Sequence, residues 1–226
     1  MPSNTPTPFE SAKLFVGRLI RQAGRFAAVL LFGALATDAA PAATKTLLFF
    51  GDSLTAGYGL ADPSEAYPAL IQKKIDDAGL TWKVVNAGLS GETTAGGLRR
   101  LDWILRQSVD IFVLELGGND GLRGIAPDVT RANLKTIIER IRAKQPRVTL
   151  VLVGMQVPTN MGRDYAEAFA QIYPSLAEAE HVALIPFLLE GVGGIPELNQ
   201  PDGIHPTAEG HRRVAETVWK TIKPLL

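Results

Sequence analysis

The chain of 226 residues contains no cysteine. Disulfides, thiol catalysis and thiolate metal sites are therefore excluded. Charge imbalance is also missing, since 23 Lys and Arg face 23 Asp and Glu. Nothing in that balance favours nucleic acid or an acidic partner. Only three histidines occur, with no H-E-x-x-H or H-x-H spacing among them, so a zinc-type site lacks its ligand pairs. The glycine-rich segment 51–59 is neither G-x-G-x-x-G nor a P-loop, which argues against nucleotide binding. Ser90 has no G-x-S-x-G elbow, because Glu92 stands where the last glycine would be. No internal repeat is present. A metal or organic cofactor is not expected.

A hydrophobic content of 46% with 20% charged residues is ordinary for a globular chain. The length suits one domain with a sizeable core. The first 43 residues differ from the rest. Lys13, Arg18, Arg21 and Arg25 precede an uncharged apolar run, 26–36, followed by small residues in A-x-A patterns at 34–36 and 40–42. This order predicts a secretory signal peptide or N-terminal anchor over 1–43 and an export route to the periplasm or beyond. The apolar run is short for a membrane span. Removal of residues 1–42 would leave a net charge of about −2.

From residue 44 to 226, apolar strand patterns alternate with helical ones. Strands are expected at 46–50, 82–85, 111–116, 148–153 and 182–185. Helices are expected at 67–78, 94–107, 130–143, 165–179 and 209–222, the fourth bent or restarted at Pro174. These strands are mainly continuous apolar runs, the third apolar except for Glu115, which points to burial on both faces. Alternation with helices points to a three-layer α/β/α domain on a five-stranded parallel sheet.

In such sheets ligands bind beyond the carboxyl ends of the strands. The polar clusters fall there. Gly51-Asp52-Ser53 follows the first strand, 86–93 the second and Gly117-Gly118-Asn119-Asp120 the third, while 202–206 precedes the last helix. A serine hydrolase needs a hydroxyl, a base, a group to orient the base and donors for the oxyanion. Ser53 supplies the hydroxyl. Asp202 and His205 lie about one turn apart, close enough for carboxylate and imidazole to meet, with Pro206 suited to the first turn of the closing helix. The Ser53 N–H, the Gly91 N–H and the Asn119 amide are the candidate oxyanion donors. Each segment alone is ordinary turn or capping chemistry; the conjunction of four at one edge points to catalysis. His181 is expected at a helix end, and His211 facing solvent or capping a local interaction. Leu122, Ile125, Val157, Pro158 and Ile195 lie in loops near the same rim and are candidate lining for an acyl pocket.

At these residues the chain resembles the GDSL or SGNH hydrolase superfamily. The blocks are Gly51-Asp52-Ser53-Leu54, Gly91, Gly118-Asn119-Asp120 and Asp202-Gly203-Ile204-His205-Pro206. The segments 84–87, 117–124 and 162–174 look like the bacterial thioesterase I, lysophospholipase and arylesterase branch. The resemblance implies Ser53 as nucleophile, Asp202 and His205 as its triad partners, and Gly91 and Asn119 as oxyanion donors. It also implies a flavodoxin-like strand order, 2-1-3-4-5. The substrate expected is a small-molecule carboxylic ester or thioester. Lysophospholipid, or carbohydrate O-deacetylation or O-acetyl transfer on the same machinery, are the alternatives, and a non-catalytic binding protein is the remote one. The protein is expected to be a monomer with no obligatory protein partner.

Overall fold

A computed structural model describes residues 44–226. The segment carrying the signal-peptide expectation, 1–43, lies outside the described residues. Five strands pair in parallel: β1 (Lys45–Gly51), β2 (Trp82–Gly88), β3 (Ile111–Glu115), β4 (Thr149–Val153) and β5 (Ala183–Ile185). Their order is β2-β1-β3-β4-β5, which is the order the resemblance implied. The order reverses beside β1, so β1 and β3 flank the crevice where open α/β sheets bind ligands.

The apolar runs of β1 and β3 are buried because helices cover both faces. Successive side chains of a strand point to opposite faces. Phe49 accordingly meets Tyr67 edge-on at 5.4 Å, in α2 (Tyr67–Asp77), after the short α1 (Ser53–Ala56). Phe50 points the other way, toward Phe112 at 5.5 Å and toward Gly97 of α3 (Thr94–Ile104). The second layer also holds α5 (Pro127–Lys144), which follows the short α4 (Gly118–Leu122), and continues through α6 (Arg163–Ala170) and α7 (Ile172–Glu180). The first layer is closed by α8 (Ala208–Ile222), packed on α2.

Several boundaries differ from the sequence reading. β2 runs to Gly88 because its backbone pairs with β1 along its whole length, Lys45 opposite Trp82 to Gly51 opposite Gly88. As an edge strand it needs no apolar side chains at Asn86 or Gly88. α5 starts at Pro127, a residue whose missing N–H costs nothing at a helix start. The break expected at Pro174 falls at Gln171 instead. Pro174 is the third residue of α7, and its ring would clash with the Ala170 carbonyl in a continuous helix, so Ala170 ends α6.

Pro206 is not in the first turn of α8. Thr207 takes the N-cap and accepts from Gly210 N at 3.2 Å. Pro206 instead pairs with Asn199 in an isolated antiparallel bridge, and Gln200 N donates to the His205 carbonyl at 2.7 Å. His205 therefore sits in a turn clamped against 198–200 rather than on a helix cap. His211 faces the core rather than solvent. It is 1% exposed, stacked on Tyr67, and its Nδ1 accepts from Tyr67 N at 3.3 Å. Burial pushes the imidazole down to about 4, so it is neutral at physiological pH. His181 ends α7 in a left-handed conformation, φ 50°.

Candidate active site

The carboxyl end of β1 builds the first wall. Asp52 caps α1, its Oδ1 accepting from Leu54 N at 3.0 Å. Ser53 is the first residue of that helix, so its N–H has no helical carbonyl to bind. Gly51 must be glycine. A methyl there would run into Thr55 Oγ1 and the Glu115 carboxyl, which crosses beneath from β3. Glu115 Oε2 accepts from Asp52 N at 3.1 Å and from Thr55 Oγ1 at 2.7 Å.

The second wall comes from the loop before α8. His205 Nε2 lies 2.9 Å from Ser53 Oγ, and His205 Nδ1 lies 2.7 Å from Asp202 Oδ2. The other Asp202 oxygen accepts from Ile204 N at 2.9 Å and His205 N at 3.0 Å. The backbone N–H of His205, then its ring, then the N–H of Ile204 hold this carboxyl down at about 2. Asp202 is thus ionised across the physiological range, and its charge favours a proton on Nδ1, leaving Nε2 as the acceptor toward Ser53. The Tyr58 ring covers the imidazole, with centroids 4.7 Å apart.

The third wall is α4. Asn119 Nδ2 donates to Asp52 Oδ2 at 3.0 Å. An amide nitrogen carries two hydrogens, so one N–H remains for a ligand. Asp120, fully buried, accepts from Thr94 N at 2.8 Å and from Thr94 Oγ1, tying α4 to the start of α3. Gly91 lies in the loop that this tie closes. Its φ of 79° suits glycine, its carbonyl accepts from Arg123 at 2.9 Å, and a methyl there would meet nothing nearer than Arg123 at 3.9 Å.

Ser53, Asp52, Asn119 and His205 open into one cavity of about 460 Å³. Its apolar side includes Leu122, Met155, Val157, Pro158, Leu189 and Ile204. Of the residues expected near the rim, Leu122, Val157 and Pro158 line it. Gly91, Ile125 and Ile195 do not. Ile195 lies by a separate shallow groove with Pro196 and Asn199, and the Ile125 carbonyl accepts from Tyr165. Met155, Leu189 and Ile204 were not singled out from the sequence. They are apolar residues in loops, and only the fold shows which of those face inward. The Asp52–Glu115 pair was missed too, although Glu115 was visible as the one charged residue in an apolar strand. Among the described residues, no group of three or more His, Asp or Glu side chains is arranged to hold a metal ion.

Comparisons with known proteins give the family. The GDSL-like Lipase/Acylhydrolase family model matches residues 49–213. Esterase TesA of Pseudomonas aeruginosa is 47% identical over 202 residues, covering 88% of this chain and 99% of TesA. The Escherichia coli protein named thioesterase 1/protease 1/lysophospholipase L1 is 42% identical over 186 residues, 82% of this chain and 86% of its own. A crystal structure of TesA superposes with a TM-score of 0.77 at 47% identity, covering 80% of this chain and all of that one. The chain belongs to the GDSL-like Lipase/Acylhydrolase family and is a serine hydrolase of the SGNH type.

Proposed function

We propose that this enzyme hydrolyses carboxylic esters, and acyl thioesters with them, through an acyl-enzyme on Ser53. The observation that carries the reading is the relay in which His205 bridges Ser53 Oγ at 2.9 Å and Asp202 Oδ2 at 2.7 Å. Ser53 Oγ attacks the acyl carbonyl as its proton passes to His205 Nε2. Asp202 holds the proton on Nδ1 and stabilises the imidazolium that forms. The oxyanion lies against the Ser53 N–H and the free N–H of Asn119, both on the cavity, with the Gly91 N–H of the 86–93 loop as the third donor that the family resemblance implies. Preorganised donors of this kind are worth about 2.7–4 kcal/mol each. The intermediate collapses with cleavage of the carbonyl–oxygen or carbonyl–sulfur bond, and Nε2 returns its proton to the leaving alcohol or thiol. Water, deprotonated by the same nitrogen, then releases the acid and frees Ser53.

The apolar wall of Leu122, Val157 and Pro158 favours a small to medium acyl chain in the cavity. The names of the relatives support esters and thioesters as the substrate class. The basic, apolar and small-residue order of 1–43 supports export, with the mature enzyme acting as a monomer. Replacement of Ser53 by Ala tests the reading. Turnover of p-nitrophenyl butyrate should fall by about 10⁴-fold or more with the circular dichroism spectrum unchanged. Retention of more than a few per cent of activity would make Ser53 the wrong nucleophile. Release of acetate from acetylated oligosaccharides without aryl ester turnover would place the same machinery on a carbohydrate.

A further inference from the structure

We propose that Asp52 is a positioning residue for the oxyanion hole, acting through its bond to the Asn119 amide, and that its ionised form is required. The inference rests on Asn119 being an oxyanion donor, as proposed above. Asp52 is 2% exposed, and among the described residues neither of its oxygens is bound to a cation. Both act as acceptors instead: Oδ1 takes Leu54 N at 3.0 Å, and Oδ2 takes Asn119 Nδ2 at 3.0 Å. The first bond fixes the carboxyl to the helix that begins at Ser53. The second fixes the Asn119 amide plane relative to that same helix. The reacting hydroxyl and the donor for its oxyanion are thereby referenced to one carboxylate.

Protonation would break this arrangement. A carboxylic acid has one oxygen carrying a hydrogen that needs an acceptor of its own. Around Asp52 the nearest partners on both oxygens are donors, so one of the two bonds must give way. The groups facing Asp52 decide where it titrates. Glu115, from β3, is fully buried, accepts through Oε2 from Asp52 N, and has no partner for Oε1 among the described residues. Burial, then the charge of Asp52, holds Glu115 well above the usual carboxylate range, so it is the neutral member of the pair. Glu92, ion-paired with Arg100, lies on the α3 side, where Arg100 also donates to the Gly51 carbonyl. His205 faces Asp52 from the loop before α8, and the buried phenols of Tyr67 and Tyr173 lie behind it. In sum, burial outweighs the bonds from Leu54 and Asn119 and pushes Asp52 up to about 6. The positioning bond is therefore lost within the range where such an enzyme can be assayed.

The test is the pH dependence of kcat/KM for p-nitrophenyl butyrate in the wild type, Asp52→Asn, Asn119→Ala and the double variant. The base must be free to accept the Ser53 proton and Asp52 must be ionised, so the acid limb of the wild type should approach a slope of 2. Asp52→Asn has a single acceptor oxygen and must turn its NH₂ toward Leu54 N or Asn119. It should lose about 10- to 100-fold in kcat/KM at pH 8, carried by kcat, and its acid limb should fall to a slope of 1. Asn119→Ala should also show a slope of 1, and the double variant should be no worse than Asn119→Ala within about twofold. A wild-type slope of 1, a slope of 2 surviving in Asp52→Asn, or losses that multiply in the double variant would each overturn the proposal. Full activity in Asn119→Ala would instead overturn the oxyanion reading on which it stands. The wild-type profile alone decides the point if a variant does not fold.

Discussion

Two aspartates flank the reacting hydroxyl, and their surroundings are opposite. Asp202 stands in an exposed turn with its side chain 39% accessible, and it collects two backbone N–H groups and an imidazole. Asp52 is buried at the end of β1, with one backbone N–H, one amide and a second carboxyl, Glu115, for company. The backbone N–H of His205, its ring and the N–H of Ile204 hold Asp202 down at about 2, whereas burial lifts Asp52 to about 6. The same side chain is a permanent anion on the base side of the site and a titratable one on the nucleophile side. Local donor count and solvent access, rather than residue type, set which role each can fill.

The comparison breaks first at Asp202. Asp202→Asn would keep Oδ1 on the two backbone N–H groups but present Nδ2 to the imidazole. A donor at that position drives the ring proton onto Nε2, where it points at Ser53. Activity on p-nitrophenyl butyrate should fall by about 10³-fold at pH 8, with KM little changed. A loss of less than tenfold would show that Asp202 does not set the tautomer. Stability should respond little, by under about 2 °C in Tm at pH 7, because the pair is solvent-screened.

A smaller effect separates the two residues in thermal unfolding. The folded-state value of Asp52 is raised, so its contribution to stability is full below the unfolded value near 4 and is lost as pH rises through about 6. Asp202 has the opposite sign: its contribution is present above about 4 and is lost as pH falls through about 2. Asp52→Asn removes an ionisation that weakens the wild type. The Tm of the variant minus that of the wild type should therefore rise between pH 4 and pH 6, by on the order of 5 °C. A difference that is flat or falling over this window would mean that Asp52 ionises without penalty.

Much of this frame can be read from the chain. The alternation of apolar runs with helical periodicity carries the parallel three-layer fold, because strands buried on both faces cannot hide their composition. The segments at Ser53, Asn119 and Asp202–His205 are legible because polar residues at strand ends stand out against those runs. Other features depend on contacts that no local pattern encodes. The extension of β2 to Gly88 follows from backbone pairing with β1. Clamping of His205 follows from the bridge between Asn199 and Pro206. His211 looks like a surface residue on a periodic helix until Tyr67 is placed above it. Asp52 reads as a turn residue, and its burial against Glu115 emerges only when β1 and β3 become neighbours.

The central claim is that Ser53 is the residue that His205 activates. Treatment of the protein with a fluorophosphonate, followed by peptide mass spectrometry, tests it most directly. A single adduct on Ser53, formed about 10³-fold more slowly in His205→Ala, is the predicted result. An adduct on Ser90 or another serine, or equal labelling rates with and without His205, would contradict it.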